Sequence, residues 1–278
     1  MFRKITLCVT LAFATAPLIH AHSVSDIPAG LSAFKAGRYT LSVKVDNPMY
    51  AKGTVDAEII VPAGVSAAAP ALVFFHGNSR DKKLFKKAAD FLSKSAAANR
   101  TILISVQNWW PLSGDHVEAY DDSRRATNLL VRKLVAAGVV NSDRVYLSGF
   151  SAGGFTALAS FVQNLSYNEA MGDPEANSFS YAGVISMKGN FHPQYFMPDP
   201  MLSPDARKAR MASLTQGKKV ILTVGGKKDA PRVQKQAPEC RDFLQDWGIA
   251  VEYHEFPKEG HSPDKTNLDL LWNMVSAN

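Results

Sequence analysis

The chain has 278 residues, of which 46% are hydrophobic and 20% are charged, so it can bury a sizeable globular core. Its formal charge of +6 is a mild basic excess that no zinc-ligand spacing, arginine-rich tract or aromatic-basic pattern accompanies. The composition therefore argues against a nucleic-acid-binding protein.

The first predicted element is a leader segment. Arg3 and Lys4 precede an apolar run, residues 5–19, that contains no acidic residue. This layout is typical of a secretory signal peptide, and about 15 apolar residues fall short of the ~20 that span a bilayer. We expect residues 1–21 to be removed, leaving residues 22–278 as a secreted or periplasmic protein of charge +4 without stable membrane insertion.

The two cysteines are separated by that predicted cleavage. Cys8 lies in the leader segment, so the mature chain keeps Cys240 alone and forms no intramolecular disulfide. We interpret Cys240 as a packed helix residue and not as a catalytic thiol.

Two kinds of apolar run predict strands. Two early segments alternate apolar and polar residues, as half-exposed antiparallel strands do: 38–45 and 55–61. Later segments are almost continuously apolar, as strands covered by helices on both faces are: 71–75, 101–106, 144–147, 181–186 and 220–224, with a last strand at 250–256.

Helical patterns lie between those strands. The predicted helices are 84–97, 117–137, 152–165, 232–247 and 264–275. This alternation predicts an α/β fold: a doubly wound, mostly parallel sheet with an antiparallel N-terminal hairpin, formed by one domain over residues 22–278. Ligands of such sheets bind at the carboxyl ends of the strands, so the residues that follow each strand are the candidates for function.

A serine follows the predicted strand 144–147. Gly149-Phe150-Ser151-Ala152-Gly153 has the pattern G-x-S-x-G and leads directly into a helix. In this strand–turn–helix context a strained turn exposes the serine hydroxyl, which predicts that Ser151 is a nucleophile. The alternative is a glycine-rich turn with an inert serine.

A serine hydroxyl needs a base, and the best candidate is His261. It lies in the turn-rich segment 257–263, directly after the last predicted strand, where a loop can reach over the serine. His116 and His192 also lie in predicted loops and are weaker candidates.

The histidine in turn needs a carboxylate to hold its tautomer. Asp229 follows the strand 220–224, which gives the chain order Ser, Asp, His of α/β-hydrolases. Asp199 and Asp264 are also candidates for this acid.

An oxyanion hole needs two N–H donors. One is the amide of Ala152, the residue after the candidate nucleophile, and the other comes from the loop after strand 71–75. In that loop His76-Gly77 resembles the H-G element of esterases and lipases, with Asn78 in place of a further glycine. We expect the second donor to be the Asn78 amide and His76 to brace the loop.

These motifs carry a family resemblance. From about residue 71 onward the sequence resembles the compact α/β-hydrolases, which include dienelactone hydrolase-like esterases, feruloyl esterases and polyhydroxybutyrate depolymerases; residues 141–154 are similar to their nucleophile segment. The resemblance implies acyl transfer to water through an acyl-serine, with no cofactor and no metal. The chain lacks the additional cysteines of the secreted depolymerases, which argues against a polymer substrate.

Aromatic residues in two loops are candidates for substrate binding. Trp109 and Trp110 follow strand 101–106, and Phe191 follows strand 181–186. Such side chains can hold an apolar acyl group of a small-molecule ester, and for Trp109 and Trp110 the alternative is that they simply cover the core. A serine carboxylesterase is the favoured function, with a peptidase of prolyl-oligopeptidase type and a non-catalytic binding protein as alternatives. The natural ester and the oligomeric state cannot be read from the sequence.

Overall fold

The computed structural model describes residues 23–24, 35–44, 54–65, 68–78, 81, 83–107, 117–167, 174–196 and 201–277. The strands are β1 (Ser23–Val24), β2 (Gly37–Lys44), β3 (Thr54–Val61), β4 (Ala69–Phe75), β5 (Ile102–Val106), β6 (Val140–Phe150), β7 (Gly183–Met187), β8 (Lys219–Gly225) and β9 (Glu252–Phe256). The helices are α1 (Leu84–Ala98), α2 (Val117–Ala136), α3 (Ala152–Leu165), α4 (Pro174–Asn177), α5 (Pro204–Thr215), α6 (Pro231–Asp246) and α7 (Lys265–Ser276), with a 3₁₀ turn at Pro193–Tyr195.

All of these strands belong to one nine-stranded sheet of order β1-β2-β3-β5-β4-β6-β7-β8-β9. The hairpin β2–β3 is antiparallel, and β3 joins β5 antiparallel. From β5 to β9 every pairing is parallel. The predicted fold class, a doubly wound and mostly parallel sheet with an antiparallel N-terminal hairpin, is confirmed.

The strand order reverses between β4 and β6. The chain runs from β4 outward to β5 and then crosses back past β4 to β6. The connections that follow β4 and β6 therefore diverge at the carboxyl ends of these strands, which is the position where ligands bind in open α/β sheets. The candidate nucleophile follows β6 at this position.

Both faces of the central strands are buried, as their continuous apolar sequences predict. In β4, Val73 and Phe75 pack in the cluster that holds α2, α3 and α6, whereas Leu72 and Phe74 pack against α1 and α7. Every residue of α3 is buried. The helix that begins at the candidate nucleophile is thus fixed in the middle of the molecule.

Some element boundaries differ from the sequence-based prediction. Helix α5 is not among the predicted helices, β6 begins four residues before the predicted 144–147, and β4 begins at Ala69, ahead of the predicted 71–75. Between α3 and β7, α4 forms one short helical turn that was also not predicted. The predicted signal peptide, residues 1–21, lies outside the described residues. Among the helices that are described, none combines the length and apolar character needed to cross a bilayer.

Candidate active site

The turn between β6 and α3 holds Ser151 in an unusual conformation. Its backbone has φ +55° and ψ −120°, in a region that costs a non-glycine residue about 1–3 kcal/mol. Backbone hydrogen bonds on both sides hold it there: the Ser151 N–H donates to Met187 O (3.0 Å), and its carbonyl accepts from Asn190 N (3.3 Å). Strand β7 and its following loop therefore fix the turn that presents the Ser151 hydroxyl.

The two glycines of the motif permit close backbone contacts. A Cβ atom on Gly153 would lie 2.0 Å from the carbonyl oxygen of Phe75, and one on Gly149 would lie 2.2 Å from that of Gly153. No side chain fits at such distances, so the pattern G-x-S-x-G is a packing requirement of β4, β6 and α3 as well as a sequence signature.

A chain of hydrogen bonds joins Ser151, His261 and Asp229. Nε2 of His261 lies 3.0 Å from the Ser151 Oγ, and Nδ1 lies 2.6 Å from the Asp229 Oδ1. Because a carboxylate only accepts, Nδ1 carries the proton and donates it to Asp229, which leaves Nε2 free to accept from the serine hydroxyl. The ring of Phe150 packs against the imidazole with centroids 4.9 Å apart and limits its rotation.

Asp229 is buried and firmly oriented. Its side chain has no exposed surface, and besides His261 it accepts hydrogen bonds from Gly225 N (2.6 Å, to Oδ2) and Ala230 N (2.7 Å, to Oδ1). The Gln234 amide supports the same turn by donating to the carbonyl oxygens of Gly226 (2.8 Å) and Asp229 (2.9 Å). Both carboxylate oxygens are thus used, and one of them faces the histidine.

Of the remaining candidate acids and bases, the two that the structure describes, Asp264 and His192, have other partners. Asp264 binds the Nζ of Lys188 at 2.9 Å, and its pKa is lowered first by the hydrogen bond from Ser262 and then by that lysine. His192 lies 3.0 Å from an Arg232 guanidinium nitrogen. Asp199 and His116 lie outside the described residues.

Of the two predicted oxyanion donors, Ala152 directly follows Ser151 in the chain, and Asn78 follows a glycine that packs against Ser151. Ala152 is the first residue of α3, where an amide has no acceptor within its own helix. Gly77 passes so close that a Cβ on it would lie 3.5 Å from the Ser151 Cβ, and Asn78 follows it with an exposed side chain. This arrangement brings the 77–78 segment to the serine.

His76 is buried at the start of the loop that follows β4. Its Nδ1–H donates to Gly77 O at 2.7 Å, and only 4% of its surface is exposed. Burial disfavours the charged ring and lowers the pKa of His76 to about 4. The imidazole is therefore neutral at physiological pH and holds the loop by its hydrogen bond.

The predicted substrate-binding aromatics have different outcomes. Phe191 is 4% exposed and packs in the core with Phe196 and Phe243, at centroid distances of 5.8 and 5.3 Å. In this position Phe191 covers the core and has little surface with which to contact a substrate. Trp109 and Trp110 lie outside the described residues.

Some residues around the site have no signal in the sequence. Phe150 is an unspecified position of the motif, and Gln234 lies in an ordinary helical pattern.

Cys240 is buried, and burial raises the pKa of its thiol. In the part of the chain that the structure describes, no group of three or more His, Cys, Asp or Glu residues is arranged to hold a metal ion.

Solved structures with a similar fold include several hydrolases. A bacterial heroin esterase superposes with a TM-score of 0.62 at 16% identity, over 90% of this chain and 86% of that one. An esterase of Pyrobaculum calidifontis gives 0.59 at 13% identity, over 87% and 85%. A bifunctional GH43-CE protein of Bacteroides eggerthii gives 0.63 at 17% identity over 86% of this chain, which spans 38% of that protein's length.

Sequence comparison gives one family. No curated protein sequence matches the chain. The prolyl oligopeptidase family (Peptidase_S9) matches residues 127–272, just over half of the chain, a region that runs from α2 into α7 and contains Ser151, Asp229 and His261. The chain therefore belongs to the prolyl oligopeptidase family, among the serine hydrolases of the α/β-hydrolase fold.

Proposed function

We propose that this protein is a serine carboxylesterase that acts on small-molecule esters outside the cytoplasm, with Ser151 as nucleophile, His261 as general base and Asp229 as the orienting acid. The observation that carries the proposal is the continuous hydrogen-bond chain from Ser151 Oγ through His261 to the buried Asp229, at 3.0 and 2.6 Å. A hydroxyl in this arrangement loses its proton to the imidazole as it attacks a carbonyl carbon.

Acylation follows from that geometry. The Ser151 Oγ forms a bond to the ester carbonyl carbon while its proton moves to His261 Nε2. The tetrahedral intermediate then expels the alcohol, which takes the proton back from Nε2, and leaves an acyl-serine. Asp229 stabilises the imidazolium that exists between these two proton transfers and keeps the ring in its orientation.

Deacylation repeats the same steps with water. His261 Nε2 takes a proton from the attacking water and returns it to the Ser151 oxygen as the acid product leaves. In both tetrahedral intermediates the carbonyl oxygen carries negative charge, which the amides of Ala152 and Asn78 would stabilise by hydrogen bonds. Removing one such donor costs about 10²–10³ in kcat in hydrolases that use this device.

The choice of an ester over an amide rests on the similar structures, several of which are esterases. The family match favours the second candidate, a peptidase of prolyl-oligopeptidase type, which would use the same residues on a peptide amide. Because the fold does not decide the substrate, the two candidates must be separated by activity.

The test is a hydrolysis screen of residues 22–278 against short- and long-chain acyl esters, aryl esters and proline-containing peptide amides. We expect turnover of esters, and a loss of several orders of magnitude in the Ser151→Ala variant with little change in stability. Faster turnover of peptide amides than of esters would favour the peptidase.

A fluorophosphonate probe tests the nucleophile without assuming a substrate. We expect covalent labelling at Ser151 and no labelling of His261→Ala, because the hydroxyl then lacks its base. A probe found on another serine, or labelling that survives in His261→Ala at the wild-type rate, would contradict the assignment. Absence of both labelling and hydrolysis in the wild-type protein would favour a non-catalytic binding protein.

A further inference from the structure

We propose that Lys188 is a positioning residue that holds the loop carrying His261 in register with Ser151. We call residues 257–264, between β9 and α7, the histidine loop. The inference rests on the proposed function, since it concerns how the base of that mechanism is kept in place.

The Lys188 ammonium group contacts the histidine loop on both sides of His261. Its Nζ donates to the carbonyl oxygens of Gly260 and Ser262, both at 2.7 Å, which are the residues directly before and after the histidine. It also lies 2.9 Å from the Asp264 Oδ2 and 3.0 Å from the Glu259 Oε2. Four oxygen atoms of one short loop thus converge on a single cation.

The lysine is itself fixed to the sheet. It directly follows β7 with φ +47°, its side chain has no exposed surface, and its N–H donates to the carbonyl oxygen of Thr223 in β8 at 3.0 Å. The Thr223 hydroxyl donates to the Asn267 Oδ1 (2.5 Å), and the Asn267 amide donates to Glu259 (2.8 Å). The contact between Lys188 and the loop is therefore supported from β8 and from α7.

A buried ammonium group is retained at a cost that only good partners offset. Two carboxylates and two carbonyl oxygens provide those partners here, and all four belong to the histidine loop. Without the cation, Glu259 and Asp264 would repel each other, the Gly260 carbonyl would lose the Lys188 donor, and the Ser262 carbonyl would keep only the Asp264 N–H. We expect the histidine loop then to open, and this opening would move His261 away from Ser151.

Catalysis is sensitive to such a shift. A displacement of about 1 Å in a reacting group costs on the order of 10² in rate. Since no contact of Lys188 with the serine or with Asp229 is needed for this effect, the residue acts through the histidine. It is not itself a catalytic residue.

The experiment compares Lys188→Met with a matched control, Lys218→Met. Lys218 is half-buried and donates to Ser180 Oγ (3.0 Å) and Tyr181 O (2.7 Å). It directly precedes β8, at the amino ends of the parallel strands, whereas the histidine loop lies at their carboxyl ends. We expect Lys188→Met to lower both kcat per titrated active site and the rate of fluorophosphonate labelling by about 10²-fold, with KM changed less than threefold. Lys218→Met should stay within threefold of wild type in all three quantities. A folded Lys188→Met protein with wild-type labelling rate would overturn the inference.

Two further measurements keep the inference testable. If Lys188→Met does not fold, Asp264→Asn removes one ion pair from a side chain that is 36% exposed, and a fall of about fivefold in the labelling rate supports the role, whereas an unchanged rate overturns it. Hydrogen exchange of the amides of the histidine loop should be at least tenfold faster in the variant that is studied. This exchange measurement does not depend on catalysis. A wild-type protein that reacts with no ester and no probe refutes the proposed function, whereas unchanged exchange refutes the role of Lys188.

Discussion

Replacing Asp229 by Asn separates the electrostatic role of this carboxylate from its packing role. The carboxylate accepts three hydrogen bonds, from Gly225 N at Oδ2 and from Ala230 N and His261 Nδ1 at Oδ1. An asparagine has one acceptor oxygen and one NH₂ group, so it cannot satisfy donors on both sides. The asparagine amide of the variant has two possible orientations, and each of them leaves one backbone N–H without its acceptor.

In the first orientation the amide oxygen faces Gly225. The NH₂ group then donates to Nδ1 of His261, so the ring proton moves to Nε2. That nitrogen can then no longer accept the proton of Ser151. In the second orientation the oxygen faces Ala230 and His261, which preserves the tautomer, but the NH₂ group then faces the buried Gly225 N–H. Either way a backbone donor loses its acceptor, at a cost of about 1–3 kcal/mol in the free energy of unfolding, and the imidazolium loses its counter-charge.

We expect Asp229→Asn to remain folded and to lose about 10⁴ in kcat, which corresponds to about 5 kcal/mol of transition-state stabilisation. The assay is aryl-ester turnover per titrated site, together with the free energy of unfolding from urea denaturation. Asp264→Asn is the matched comparison, because that carboxylate contacts Lys188 and Ser262 and not His261, and its loss should stay near the fivefold expected above. Turnover of Asp229→Asn within tenfold of wild type, or loss of activity in Asp264→Asn alone, would refute the reasoning.

Three other predictions concern the turn, the loop brace and the N-terminus. Gly153→Ala places a Cβ atom 2.0 Å from a β4 carbonyl oxygen. We therefore expect this variant to lose at least about 2 kcal/mol in the free energy of unfolding, and to lose most of its turnover. The control Gly217→Ala has open space around its Cβ position, so it should lose only about 1 kcal/mol and keep its activity. Because the pKa of His76 is lowered to about 4, the unfolded chain binds a proton at this residue more readily than the folded protein between pH 6.5 and 4. Stability therefore falls as the pH falls through that window, by about 2 kcal/mol at pH 4.5 from this group, and His76→Gln should show a correspondingly smaller difference between urea titrations at pH 7.5 and pH 4.5. Exported protein should have the intact mass of a chain that begins near His22, and a mass that retains residues 1–21 would contradict the predicted signal peptide.

The alternation of apolar runs with helical patterns was sufficient for the fold class, because a parallel sheet buried on both faces leaves a strong signal. The boundaries were harder where pairing depends on distant residues. Ala69 pairs with Val140 beside a shift in register, and both residues lie in segments whose polar or proline-rich neighbours resemble connections. Helix α5 carries few apolar residues, although the pair Ser203-Pro204, with the Ser203 hydroxyl accepting from Ala206 N, is a recognisable helix start.

The candidate site was predictable as far as each residue had a local signal. Ser151 lies in a sequence motif, and the positions of Asp229 and His261 after successive strands follow from chain order. Lys188 and Gln234 had no such signal, because their role consists of contacts that only the folded chain creates; the Lys188 Nζ binds a carbonyl oxygen 72 residues away. Phe191 had a local pattern that did not decide its role, because an aromatic residue after a strand gives the same sequence pattern whether it faces a ligand or the core.

The positions of the candidate catalytic residues along the chain have a consequence for the order in which the protein folds. Ser151 and His261 are 110 residues apart, and the histidine follows every strand that the structure describes. During synthesis the serine turn can form once β4, β6, α3 and β7 with its following loop have met, but its hydroxyl has no base until β9 has joined the edge of the sheet and α7 has docked. Contacts of such large sequence separation form late, after the entropy of closing the intervening chain has been overcome. A nascent or partly folded chain would therefore carry an unreactive serine, and the appearance of probe labelling during refolding would mark the docking of the last strand and helix.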